Sequence, residues 1–331
     1  MPFKVGLIGL EGHYGVILEG ILRHGDSKLS AVACRNEMAL RLFRSHRAVT
    51  DETRFYHDYR EMLERENLDI AAVCNVNNEH AETIVECARA GVHIISEKPL
   101  TTTLEDLDLV REAVGRSDVK VTMLMTMRFE PAYVRMREII TGGGIGEPVL
   151  VTAQKSYRLG IRPDWMKRRE SFGGTIPFIG IHMLDLIRWT TGREFVEGMA
   201  YHSNVAHPEI GEMEDNASIL LKLDNNGTAT IRLDYLRPMS APTHGDDRLR
   251  VAGSKGVIEA TENGARLILI ASSRGVIELD IPEEEDHIYL DFVRSIERGG
   301  EPKVTFREAC EVTEISLKLR DSADKGRKVR L

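Results

Sequence analysis

Over the first third of the chain, apolar residues fall in short unbroken runs, and each run is followed by a stretch with helical spacing. Val5-Gly6-Leu7-Ile8 is the first run; Ile17, Leu18, Ile21 and Leu22 then share one helix face, and Gly25 stops that helix. Leu29 to Ala33 predicts a second strand, and a helix from about Glu37 to His46 leads to the short segment Arg54-Phe55-Tyr56. Ile70 to Cys74 reads as a buried strand, followed by a helix carrying Ala81, Ile84, Cys87 and Ala88. Val92 to Ile95 is the next strand, a helix begins at Thr103 where Thr-x-x-Asp106 resembles a capping box, and Val121 to Met125 is a further strand. Such β-α-β-α repetition buries its faces only as a parallel sheet with helices on both sides.

The rhythm changes after Gly142-Gly143-Gly144. Val149 to Lys155 predicts a strand and residues near 180–191 one strong helix, after which strands come in pairs. Segments 217–223 and 228–236 flank Asn225-Asn226-Gly227, segments 249–252 and 257–260 flank Ser254-Lys255-Gly256, and segments 265–270 and 276–281 flank Ser273-Arg274-Gly275. Helices near 287–298 and 306–321 close the chain. The expected fold class is therefore α/β: a doubly wound parallel sheet over residues 1–126, then an α+β domain over 127–331 built on a large, mostly antiparallel open sheet, its final residues able to pack back near the first domain.

Composition narrows the function. A chain of 331 residues suits two domains, and a net charge of −8 argues against nucleic acid, which needs a basic face. Cys34, Cys74, Cys87 and Cys310 show no paired spacing that points to a zinc site or disulfide framework, and no metal is expected. No run resembles a signal peptide or a membrane span, so the expected location is the cytoplasm, away from membranes.

The chemistry begins where the first strand ends. In Gly6-Leu-Ile-Gly9-Leu-Glu-Gly12-His-Tyr-Gly15 the glycines permit close approach of backbone to a pyrophosphate, and the helix that follows offers free N–H groups. Its position at the first β-α junction points to a dinucleotide, held by Gly9, Gly12, His13 and Tyr14. The spacing from Gly9 is one residue longer than GxGxxG, and Glu11 sets a carboxylate where an anion should approach. The second strand ends Ala33-Cys34-Arg35-Asn36, without the carboxylate that usually holds the ribose 2′-hydroxyl. An arginine suits a 2′-phosphate, so Cys34 and Arg35 favour NADP over NAD. Ser96-Glu97-Lys98-Pro99 follows another strand, at the sheet edge where α/β folds bind ligands, and places a lysine able to donate to a substrate oxygen.

The run Ala88-Arg-Ala-Gly91-Val-His-Ile-Ile-Ser-Glu97-Lys98-Pro99-Leu100 closely resembles the signature of the glucose-fructose oxidoreductase/inositol dehydrogenase (GFO/IDH/MocA) family. The resemblance continues through Tyr56-His-Asp58-Tyr59, Asn75-Val-Asn77-Asn78-Glu-His80, Arg128-Phe129-x-Pro131, Ile145-Gly146-Glu147-Pro148, Gly173-Gly174 to Asp185, and Ala252-Gly253-Ser-Lys-Gly256. It implies a Rossmann domain, with Asn75, Asn77, His80, Glu97 and Lys98 also facing the cofactor, and a second domain whose open sheet often mediates a homo-oligomer, dimer or tetramer. The implied activity is an oxidoreductase moving a hydride between NAD(P) and a hydroxyl or carbonyl of a sugar, cyclitol or related polyol. In that mechanism His182 is general base or acid, Lys98 steadies the reacting oxygen and relays its proton, and Asp185 binds a substrate hydroxyl or orients the histidine.

His182 and Asp185 stand at i and i+3 and so share a helix face. Phe178 occupies a position, four before the histidine, where many family members carry an acid. Arg128, Tyr157, Trp165 and His244 are candidate substrate contacts, Tyr157 and Trp165 beside Arg162 and Lys167, and His244 in the polar loop Pro242–Arg248. His244 with Asp246 and Asp247 matches no known metal spacing. Two other functions are compatible with these residues: a dinucleotide-binding sugar-pathway regulator without catalysis, and an enzyme that oxidises a hydroxyl transiently to allow elimination or hydrolysis.

Overall fold

The computed structural model describes residues 2–271, 275–282 and 286–331, which fall into two compact units. The first comprises Met1–Leu124 with Asp286–Thr313, the second Met125–Glu285 with Glu314–Leu331.

In the first unit, strands and helices alternate as β1 (Phe3–Ile8), α1 (Tyr14–His24), β2 (Ser27–Ala33), α2 (Glu37–Phe43), β3 (Arg54–Tyr56), α3 (Tyr59–Arg65), β4 (Ile70–Val73), α4 (His80–Arg89), β5 (His93–Ser96), α5 (Leu104–Gly115) and β6 (Val121–Met123). Among the described residues the strands form one six-stranded sheet in the order β3-β2-β1-β4-β5-β6, parallel throughout. The unbroken apolar runs have the reason expected of them: Ile70, Ala71, Ala72 and Val73 are all fully buried, since helices cover both faces of β4. Local signals set the helix ends. Thr103 Oγ1 accepts from Asp106 N–H at 3.1 Å, and Gly25, at φ 72°, ends α1 in a conformation that favours glycine.

The second unit contains α6 (Pro131–Thr141), β7 (Pro148–Arg158), α7 (Arg169–Phe172), α8 (Ile181–Thr191), β8 (Phe195–Ser203), β9 (Asn216–Leu223), β10 (Thr228–Arg237), β11 (Arg248–Gly253), β12 (Gly256–Thr261), β13 (Arg266–Ala271) and β14 (Gly275–Glu278). The chain ends in α9 (Ile288–Arg298), α10 (Phe306–Lys325) and β15 (Val329–Arg330). Among the described residues the sheet has nine strands in the order β14-β13-β12-β11-β7-β10-β9-β8-β15, antiparallel except for β7 beside β10. Ala229, Ile231, Leu233 and Tyr235 of β10 face the core, while alternate residues such as Arg232 and Leu236 face outward. Asn226 takes φ 68° in the β9–β10 turn, as its Asn-Asn-Gly sequence predicts. Ser273 and Arg274 of the last hairpin turn lie outside the described residues.

Residues 286–313, read as part of the second domain, pack in the first unit. Gly20 of α1 lies so close under the Tyr289 ring of α9 that a Cβ would collide with it, and Tyr289 Oη donates to Ser27 Oγ at 2.8 Å. Thr122 Oγ1 of β6 donates to the Val304 carbonyl at 2.9 Å. Hydrophobic periodicity alone contains no record of which sheet a late helix joins.

Candidate active site

The loop between β1 and α1 packs tightly against the end of β4. Gly9 has φ 81°, and a side chain there would collide with the backbone of Cys74 and Asn75. The Glu11 N–H donates to the Cys74 carbonyl at 2.8 Å. Gly12 has φ 64°, and a Cβ on it would come 2.5 Å from Glu97 Oε1. That carboxylate accepts the backbone N–H of His13, at the N-terminus of α1, and lies 2.8 Å from His13 Nδ1. Its other oxygen accepts the Lys98 N–H at 3.0 Å. Burial pushes the Glu97 carboxyl up, but the charge and hydrogen bonds of His13, aided by Lys98, outweigh it and hold the group at about 2.

Lys98 is almost wholly buried, at 2% exposure, just past the end of β5, and its peptide bond to Pro99 is cis. His80 is also fully buried. Its Nδ1 lies 2.8 Å from the Pro99 carbonyl and its Nε2 3.0 Å from that of Asn75, so the ring sits between two backbone acceptors, and a neutral imidazole donates to one of them. His80 thus ties the β5–α5 loop to the β4–α4 loop. Asn77 is buried in the 3₁₀ turn that precedes α4.

A slot runs across the ends of β1, β2 and β4, lined by Gly9, Leu10, Cys34, Arg35, Asn75 and Glu79 among others. Asn75 Oδ1 is buried and has no hydrogen-bond partner among the described residues, while its Nδ2 donates to Thr83 Oγ1 at 2.9 Å. Burial raises the pKa of the half-buried Cys34 thiol, against a backbone hydrogen bond from Asn36, and the nearby carboxylates of Glu11 and Glu79 add to the rise. Arg35 is exposed and its Nη1 donates to Glu79 Oε1 at 2.8 Å. Tyr14 meets Phe43 edge-on at 5.9 Å. Glycines that admit backbone approach, a helix N-terminus and a buried acceptor in the slot fit a dinucleotide.

In the second unit, His182 lies in the first turn of α8, 8% exposed, directly after a π-helical turn over Ile176–Gly180. Wide turns of this kind recur at functional sites. Asp185 is one turn further on, but its carboxylate does not meet Arg188. Arg128 Nε donates to Asp185 Oδ2 at 2.8 Å and Arg128 Nη2 to Oδ1 at 2.6 Å, with both side chains essentially buried. Arg188 is turned instead to Glu194 at 2.6 Å. The expected substrate arginine and the expected catalytic aspartate are therefore one buried fork. Phe178 packs on Phe172, with ring centroids 5.0 Å apart.

Two of the candidate substrate residues come together. Tyr157 and His244 stack at 5.0 Å beside a buried ion pair, Lys155 Nζ to Asp247 Oδ2 at 2.5 Å. Arg162 caps the Tyr235 ring at 4.6 Å. Burial lowers the His244 pKa, reinforced by Arg162 and Arg158. Burial opposes charge on Lys155, yet Tyr157 and Asp247 hold its pKa up. Trp165 stands apart from this group, tilted against Phe172 at 6.3 Å. The Lys155–Asp247 and Arg35–Glu79 pairings are not legible in the sequence, because the partners are 92 and 44 residues apart in the chain.

These features define a protein with a dinucleotide-binding parallel sheet and a second unit that carries a buried histidine behind a wide helical turn. The chain belongs to the GFO/IDH/MocA family of oxidoreductases: residues 3–125 match the oxidoreductase family with an NAD-binding Rossmann fold, and residues 133–259 match the GFO/IDH/MocA C-terminal domain. A solved structure from Thermotoga maritima is 34% identical and superposes with a TM-score of 0.93, covering 99% of this chain and 100% of that one. Myo-inositol 2-dehydrogenase of Thermotoga maritima is 26% identical, over 99% of this chain and 98% of its own. D-apiose dehydrogenase of Paraburkholderia graminis is 24% identical, over 84% and 77%. Among the described residues, no helix is long and apolar enough to cross a membrane.

Proposed function

We propose that this protein is a dehydrogenase that moves a hydride between a nicotinamide dinucleotide and a CH–OH carbon of a sugar, cyclitol or related polyol, with Lys98 and His182 transferring the proton. The observation that carries the proposal is Lys98: a lysine at 2% exposure at the C-terminal edge of a parallel sheet, its backbone N–H held by Glu97. A lysine held at the ligand edge of the sheet is placed to reach a substrate bound there. The N–H groups of Glu11 and His13 are engaged within the protein, so phosphate cradling falls to the rest of the glycine loop and the first turn of α1.

The nicotinamide ring supplies the hydride acceptor or donor. The Lys98 ammonium donates to the substrate oxygen and stabilises its developing negative charge, and His182 takes or returns the hydroxyl proton. Asp185, held in the Arg128 fork, acts through its place on α8 as a positioning residue. Tyr157 and His244 present a flat, polar-edged surface suited to a polyol. We further propose that the outward face of the second sheet, where Tyr201 and Leu220 are exposed, joins copies of the chain.

Phe178, packed on Phe172 where an acid would complete a Lys/Asp/His set, favours one alternative, a dinucleotide-binding regulator. Calorimetry of nucleotide-free protein with oxidised cofactor, followed by a polyol and sugar panel read by reduced-nicotinamide absorbance, separates the two. Binding with turnover supports the dehydrogenase. Binding with no turnover across the panel overturns it in favour of the regulator.

A further inference from the structure

The second strand ends without a carboxylate, and a nearby loop provides one. Glu79 closes the 3₁₀ turn that follows β4. Its backbone is set by a bond from its N–H to the Val76 carbonyl at 2.8 Å and by Thr83 Oγ1, which donates to the Glu79 carbonyl at 2.9 Å. Its side chain lies in the slot beside Cys34, Arg35, Asn36 and His57. One oxygen accepts Arg35 Nη1 at 2.8 Å, and the other accepts Asn75 Nδ2 at 3.3 Å.

We propose that Glu79 selects NAD over NADP, by accepting the adenosine ribose hydroxyl and by engaging the arginine that a 2′-phosphate would need. This rests on the dinucleotide-binding part of the reading above. A carboxylate has about four lone-pair sites, so two donors leave room for a ribose hydroxyl. A 2′-phosphate would bring a charge of about −2 to a place already holding two carboxylates, Glu79 and Glu11, against the single guanidinium of Arg35. Both carboxylates line this slot, with Cys34 and Arg35. His57 does not redress the balance, because its Nε2 faces Glu37 Oε2 at 3.3 Å. The arginine in the sequence thus points to NADP, while its tertiary partner points to NAD.

The test is calorimetric titration of nucleotide-free protein with NADH and NADPH separately, a readout that needs no turnover. The wild type is expected to bind NADH at least about tenfold more tightly. Glu79→Gln keeps the size and one acceptor oxygen but removes the charge, and should shrink that ratio by about tenfold through a gain for NADPH. Glu79→Ala should shift the ratio the same way and also weaken NADH. Arg35→Gln should leave the preference for NADH in place. A wild type that prefers NADPH, or a ratio unmoved in both Glu79 variants, overturns the assignment while leaving hydride transfer intact. Selective NADH binding without turnover of any polyol supports the Glu79 assignment and overturns the dehydrogenase.

Discussion

The carboxylate of Glu97 caps the N-terminus of α1 through the backbone N–H of His13, with His13 Nδ1 at 2.8 Å. A negative charge there meets the positive end of the helix dipole. The same side chain holds the N–H of Lys98, so the glycine loop and Lys98 share one anchor.

That anchor sets a pH dependence. The Glu97 carboxyl is at about 2 when folded, below its ordinary range when unfolded, so its stabilisation is complete above about pH 4.5 and is lost as pH falls toward 2. The shift corresponds to roughly 3 kcal/mol. Urea unfolding of wild type and Glu97→Gln should show a gap at pH 6 that narrows steadily below pH 4.5. A gap constant with pH would refute the charged pairing.

Lys98→Met should abolish turnover, at least about a thousandfold in kcat, while cofactor affinity measured by calorimetry changes little. Retained turnover would remove Lys98 from the chemistry.

Arg128→Met leaves Asp185 buried without its fork. The expected loss is about 3–5 kcal/mol, read from the denaturation midpoint. Replacing both partners with apolar residues, as in Arg128→Met with Asp185→Leu, should recover much of that stability, because no charge is then left stranded. A double variant as unstable as the single one would argue against the pairing.

Gly9→Ala places a methyl group into the backbone of Cys74 and Asn75 at a φ of 81°. A loss of about 1–3 kcal/mol is expected from the overpacking, together with weakened nucleotide binding. Calorimetry and thermal unfolding report the two effects separately, and normal nucleotide affinity would exclude this loop from the cofactor site.

Leu220 and Tyr201 are 56% and 61% exposed on the outward sheet face. Leu220→Glu should lower the mass seen by light scattering if copies associate through that face, because burying an unpaired carboxylate there is costly. An unchanged mass places the interface elsewhere.

The alternation of apolar runs with helical stretches determined the parallel sheet, because only burial on both faces makes such strands continuous. Likewise Thr103, Gly25 and Asn226 announced a cap, a stop and a turn through local backbone chemistry. The strand β8 had no such legibility, since Glu197 and Gly198 interrupt its pattern and its support comes from pairing with β9. The candidate site divides in the same way. The places of the glycines after β1 and of the lysine after β5 were legible, because each is fixed by its position within a β-α unit. What Arg35, Asp185 and His80 do was decided by the tertiary structure alone. Arg35 meets Glu79, Asp185 meets Arg128 rather than its helix neighbour Arg188, and His80 lies between two carbonyls. Side-chain charge is written in the sequence, but its effect depends on the nearest opposite charge or acceptor, and folding brings that partner from far along the chain.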